Sequence, residues 1–147
     1  MAGDYEGGLR VIRDYWRKML DLDATTFWVD FNLDWIPNAC GIDRLVPDGM
    51  KDIHADFGAY CYKGLRHSLC HGRAAGPTAW LSEHILGVKP LQPGCTVLQI
   101  KPNLGKLESA EGAFPTPQGT VKVRHTRTAS GKVDTAVTAP KGIEIVR

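Results

Sequence analysis

The period of the apolar residues changes once along this chain, at Gly87, and that change limits the folds open to it. Before Gly87 the apolar residues recur every three or four positions. In residues 5–20, Leu9, Ile12, Trp16 and Met19 follow this spacing, with Arg10, Arg13, Arg17 and Lys18 between them. That pattern predicts an amphipathic helix, its apolar side widened by Tyr15 and Leu20. A second helix is predicted over 76–86. Pro77 suits its first turn, Trp80, Leu81, Ile85 and Leu86 form its apolar side, and Gly87 stops it. After Pro90, Pro93 and Gly94, which read as a linker, the alternation becomes one in two over 96–101, 120–126, 132–138 and 143–146. Turn signals separate these runs at Pro102-Asn103, Pro115-Thr116-Pro117, Ser130-Gly131 and Pro140. A helical front and an antiparallel β tail define an α+β chain, divided as 1–87 and 88–147, with no internal repeat.

Between the two helices the pattern is weaker. Residues 24–55 lack a sustained period and are interrupted by Pro37, Gly41, Pro47 and Gly49. They read as a long structured loop with a short helix near 37–45, and long ordered loops usually carry function. Residues 56–71 are apolar with small residues interspersed and read as partly helical.

Charge is unevenly spread. Residues 1–60 hold 6 Lys/Arg against 11 Asp/Glu, a net −5, and residues 61–147 hold 12 against 5, a net +7. The cations of the tail alternate along presumed strands, which describes a solvated sheet face and argues against nucleic-acid binding. No apolar run approaches the roughly 18–20 residues needed to span a bilayer, so no membrane partner is expected. Residues 1–20 lack the apolar core of a secretory signal, and the location in the cell is left unassigned. Cys40, Cys61, Cys70 and Cys95 do not form the dense pattern of a disulfide scaffold and read as buried thiols.

The residues that could carry chemistry outside a larger scheme are few. His54, Asp56, Cys61, His67, Cys70 and His71 lie within eighteen residues, but adjacent Cys70 and His71 do not easily share a tetrahedral ion and there is no Cys-x-x-Cys. No metal and no cofactor is expected. Cys70 beside His71 also differs from a catalytic Cys-His pair, whose members meet across a fold. The β tail could instead be a non-catalytic carbohydrate-binding or structural module. Residues 95–147 contain a single aromatic, Phe114, which favours the structural role.

Several segments, taken in order, resemble a known family. Ala24-Thr25-Thr26-Phe27-Trp28-Val29-Asp30 is followed by Ser68-Leu69-Cys70-His71-Gly72 and Gly76-Pro77-Thr78-Ala79-Trp80-Leu81. Gly87-Val88-Lys89-Pro90-Leu91, Ile100-Lys101-Pro102-Asn103-Leu104-Gly105 and Phe114-Pro115-Thr116-Pro117-Gln118-Gly119 come after them. Together they resemble the C-terminal end of the bacterial α-L-rhamnosidases, a family of glycoside hydrolases often found in the periplasm or outside the cell. The resemblance implies that residues 1–87 are the last helices and active-site loop of an (α/α)6 barrel. Residues 88–147 would then be most of an antiparallel β-sandwich. It further implies a fragment of a longer enzyme, with rhamnose-containing glycans or glycosides and the upstream part of the barrel as partners.

The same resemblance names site residues. The family inverts configuration with two carboxyl groups placed roughly 6.5–9.5 Å apart, one protonating the leaving oxygen and one activating water. Its general acid is expected upstream of these segments. Its general base, a Glu, falls on Val29, whose side chain has neither lone pair nor titratable proton. Asp30 is a weak substitute: it points elsewhere and is one methylene shorter, and a misplacement on the order of 1 Å costs about 10²-fold. His71 matches a sugar-contacting His and Trp28 a pocket-lining position, although a packed His and a core Trp are equally natural readings of those residues. Relatives tend to carry aromatics at the positions of Arg73, Ser109 and Gln118, and a left-handed Gly at that of Asp23. Alone, such a chain is expected to hydrolyse nothing.

Overall fold

The computed structural model describes residues 3–29, 31–38 and 70–147. The chain divides into two compact units, one of Gly7–Pro77 and one of Met1–Glu6 with Thr78–Arg147. Among the described residues no helix is long and apolar enough to cross a membrane.

The first predicted helix forms as α-helix Tyr5–Val11, a wider π turn Ile12–Trp16, and α-helix Arg17–Asp21. Leu9 and Met19 are buried and Ile12 and Trp16 half-buried, as the spacing requires. Tyr15 and Leu20, which the sequence assigns to the same apolar side, are 39% and 66% exposed. Lys18 hydrogen-bonds Asp21 at 2.9 Å one turn later, holding that carboxyl below its ordinary range, with weaker help from the Arg17 charge.

The end of this helix is a full left-handed cap. Asp23 has φ +60, its N–H donates to the Leu20 carbonyl at 2.9 Å, and the Ala24 N–H donates to that of Met19 at 3.0 Å. These are the two reversed bonds that close a helix when one residue turns left-handed, and Ala24 packing with Met19 supplies the accompanying apolar contact. Ala24, Met19 and Trp28 form the small core of this unit, with Trp16, Leu22 and Phe31 against them. A 3-10 turn runs over Leu33–Asn38 and overlaps the start of the short helix expected near 37–45; the rest of that expectation, and the helical reading of 56–69, lie outside the described residues.

The second predicted helix is also composite: a 3-10 turn Gly72–Ala75, α-helix Gly76–Trp80 and π turn Leu81–Ile85. Gly87, with φ +70, ends it as expected. A Cβ on Gly87 would run into the carbonyl of Lys101, whose own N–H donates to the Gly87 carbonyl at 2.9 Å. Glycine is needed there on two counts, left-handed backbone and close approach of another chain segment.

Six strands follow: β1 Val88–Pro90, β2 Val97–Ile100, β3 Ser109–Thr116, β4 Gly119–Arg127, β5 Val133–Thr138 and β6 Glu144–Val146. They form two three-stranded sheets, β1-β2-β6 and β3-β4-β5. The segment read as a linker contains β1, whose Pro90 is tolerated because β1 is an edge strand. Pairing is antiparallel except between β2 and β6, which run parallel, so the sandwich is predominantly rather than wholly antiparallel. Pro115-Thr116, read as turn residues, instead end β3, and the hairpin turn falls on Pro117-Gln118.

Alternation places Val88, Leu98 and Ile100 of one sheet with Val121 and Val123 of the other in one buried cluster, joined by Leu86. At Gly112 on β3 the missing side chain makes room for the Leu86 methyls. The polar member of this core is His125, fully buried. Its Nε2–H donates to the Leu86 carbonyl at 2.9 Å, since a carbonyl can only accept, and Nδ1 lies 2.8 Å from the Thr135 hydroxyl. His125 therefore caps the last turn of the helix from the floor of the sheet. Arg127 binds three carbonyls, those of Gly105, Leu107 and Gly131, and fixes the loop between β2 and β3.

Candidate functional site

In the unit Gly7–Pro77 the left-handed cap at Asp23 turns the chain out of the helix and into 24–29. Phe27 accepts a hydrogen bond from the His71 N–H at 2.7 Å. The Ala74 N–H donates to the His71 carbonyl at 3.1 Å, and the Trp16 indole N–H donates to the Ala74 carbonyl at 3.0 Å. A helix, the loop 24–29 and the turn 72–75 are thus held together by backbone groups and the Trp16 indole, and two segments more than forty residues apart in sequence meet.

Each singled-out residue has a distinct place in this bracket. Trp28 is 1% exposed, packed with Met19 and Ala24 and edge-on to Phe31 with ring centroids 5.7 Å apart. Val29, next along the loop, is 40% exposed. His71 is half-buried, with extended backbone (φ −127, ψ 111), and its ring makes no hydrogen bond to a described residue. It precedes the Gly72–Ala75 turn without capping it. Asp30 lies outside the described residues, as do Cys40, His54, Asp56, Cys61 and His67. Cys70 is exposed and Cys95 half-buried, so neither matches the buried-thiol expectation. Among the described residues no group of three or more His, Cys, Asp or Glu could hold a metal.

Chemically, the bracket presents a half-buried imidazole and an exposed hydrocarbon side chain on hydrogen-bonded segments. Imidazole can donate to or accept from a sugar hydroxyl. Val29 can do neither, and no proton can be taken from water at that place by its own side chain.

Sequence reasoning passed over a second polar recess. In the other unit, Tyr5, Glu83, His84, Lys89, Gln99 and Lys101 surround a hollow of about 280 Å³. Its two rings, Tyr5 and His84, pack with centroids 5.9 Å apart, and Trp80, which does not line the hollow, packs on His84 at 5.3 Å. The strand pattern holds a signal for it, since Lys89, Gln99 and Lys101 alternate with buried Val88, Leu98 and Ile100.

Comparison with known proteins gives three findings. Residues 87–146 match the family described as bacterial alpha-L-rhamnosidase C-terminal domain. An alpha-L-rhamnosidase of Alteromonas sp. (strain LOR) is 44% identical over 78 residues, which is 52% of this chain and 8% of that protein. The fold is similar to that of a GH78 family rhamnosidase of Bacillus sp. GL1, with a TM-score of 0.64 and 32% identity, over 93% of this chain and 12% of that one. The chain therefore spans a small part of the length of these relatives.

Proposed function

We propose that this chain, whose residues 87–146 match the C-terminal domain of bacterial α-L-rhamnosidases, is the corresponding portion of a rhamnosidase-like glycoside hydrolase and does not hydrolyse glycosides alone. On this reading residues 1–87 correspond to the last helices and active-site loop of an (α/α)6 barrel, and 88–147 to the sandwich that braces it. The complete arrangement acts on rhamnose-containing glycans or glycosides with inversion. One carboxylic acid protonates the leaving oxygen while a base on the far side of the ring activates water.

One observation carries the proposal of inertness: the position of the family's general base holds Val29, on a loop bonded through Phe27 to the segment bearing His71. General-base catalysis contributes about 10²–10⁴-fold, and a hydrocarbon forfeits it. His71 keeps the role of a sugar contact, supported by its half-buried place on the segment bonded to Phe27 and by a ring that makes no hydrogen bond among the described residues. Trp28, seated in the core, supports the loop from behind rather than offering its face. Asp30 stays a poor replacement on grounds of length and direction. The sandwich is read as a brace because the outer face of β3-β4-β5 offers Glu111, Ala113, Lys122, Arg124, Ala136 and Thr138, with no aromatic ring for a sugar to stack on.

The test is turnover of a chromogenic α-L-rhamnoside by the purified chain, with Val29→Glu and Asp30→Asn beside it. No turnover above buffer is expected for the parent chain or for Asp30→Asn. Hydrolysis by the parent chain that Asp30→Asn abolishes would overturn the proposal and make Asp30 the base.

A further inference from the structure

Strands β1 and β2 pair with Lys89 opposite Gln99, so Lys101 lies diagonal to Lys89 on the same outward face. Diagonal neighbours on one face of an antiparallel pair stand about 7–8 Å apart, close enough for like charges to repel. Neither ammonium forms an ion pair among the described residues, and both side chains are exposed. A pair of adjacent, unneutralised cations at the lip of a hollow is satisfied by an anion from outside.

The remaining walls specify what kind of anion. Gln99 and Asn103 bring planar amides that donate and accept, as vicinal hydroxyls require. Tyr5 and His84 bring aromatic surface, held in place by their mutual contact and by Trp80. Glu83, also in the wall, can accept from hydroxyls. Amides, rings and an acceptor suit a polyhydroxylated ring, whereas a bare anion would use only the two lysines. The volume of about 280 Å³ lies at the small end of ligand pockets, about 300 Å³, and suits one or two sugar rings.

We propose that this hollow binds an acidic sugar residue, a pyranose carrying a carboxylate, with Lys89 and Lys101 on the carboxylate and Gln99, Asn103 and His84 on the hydroxyls. The site lies wholly within the unit containing the sandwich and does not involve Val29, Asp30 or His71. It stands whether or not the hydrolase reading does, because its readout is binding.

The experiment is calorimetric titration of the whole 147-residue chain with digalacturonate, with neutral galactobiose and with sodium acetate. Saturable binding of digalacturonate is expected, at least about tenfold tighter than either of the others, because charged hydrogen bonds and ring contacts are both needed. Lys89→Gln/Lys101→Gln should weaken it by about tenfold or more, while Lys89→Arg/Lys101→Arg, which keeps the charge, should stay within about threefold. Raising salt from about 0.05 M to 0.3 M should weaken it several-fold, as expected of exposed charges. Four results overturn the proposal: no saturable binding, equal affinity for galactobiose, equal affinity for acetate, or a double Gln variant that melts and binds like the parent. If the double Gln variant unfolds, the Arg variant and the ligand comparison decide alone.

Discussion

Replacing His125 by phenylalanine tests how the sandwich is joined to the helix that precedes it. The planar ring shape is kept but phenyl is larger than imidazole, so the perturbation combines the loss of two polar contacts with some crowding in a fully buried place. One is the Nε2–H donated to the Leu86 carbonyl, which then stays buried next to a hydrocarbon edge. Leaving a buried acceptor unsatisfied costs about 1–3 kcal/mol. The other is the Thr135 hydroxyl, less deeply placed and free to turn toward another acceptor, worth about 0.5–1 kcal/mol. Together the loss is about 1.5–4 kcal/mol, with any gain from added apolar burial reducing it toward the lower figure. Urea unfolding followed by fluorescence and far-ultraviolet dichroism reads this as a lower midpoint at unchanged slope. Thermal unfolding should fall by roughly 2–4 °C for each kcal/mol in a chain of this size. His125→Gln, whose amide can still donate to Leu86, should lose about half as much. A phenylalanine variant within about 0.5 kcal/mol of the parent would refute the view that this histidine serves as a helix cap.

Three other outcomes follow from local geometry. Gly87→Ala should destabilise by about 3 kcal/mol, combining left-handed strain with displacement of the Lys101 carbonyl, and a melting curve within about 1 kcal/mol of the parent would count against it. Asp23→Gly should stabilise the helix end by about 0.5–1 kcal/mol, because Gly takes the left-handed cap without a Cβ clash; a loss in denaturant midpoint would contradict this. Asp21, held below its usual range by Lys18, contributes stability that is present above its unfolded value of 3.8 and lost as pH falls through the lower folded value. An NMR titration should show its midpoint below that of the Lys18→Met variant.

The functional readings differ in what they ask of the chain. The proposed loss of hydrolysis depends on a single residue type at Val29, which sequence displays directly. The acidic-sugar site depends on Lys89 and Lys101 sharing a face, which needs the register of β1 against β2. A chain can lack chemistry at one place and keep recognition at another, because the two rest on separate units.

Where an interaction is local, the sequence was sufficient. The three-to-four spacing of Leu9, Ile12, Trp16 and Met19, the stop at Gly87 and the alternation along β2, β4 and β5 are each decided by neighbours within one or two turns or pleats. The left-handed Asp23 was legible for the same reason, once kin with Gly at that place were considered. Where the partner is distant, sequence could not say. β1 is three residues long and ends in Pro90, and β3 carries Gly112 where alternation would call for a bulky residue; both exist because another strand or Leu86 completes them. The parallel bond of Val97–Ile100 with Glu144–Val146 closes a loop of more than forty residues and leaves no local trace. In the candidate site, residue types at Trp28, Val29 and His71 could be read from the chain. The bond from His71 to Phe27 that gathers them, and the burial of Trp28 beside an exposed Val29, were decided only when the backbone had to satisfy its own donors and acceptors in three dimensions.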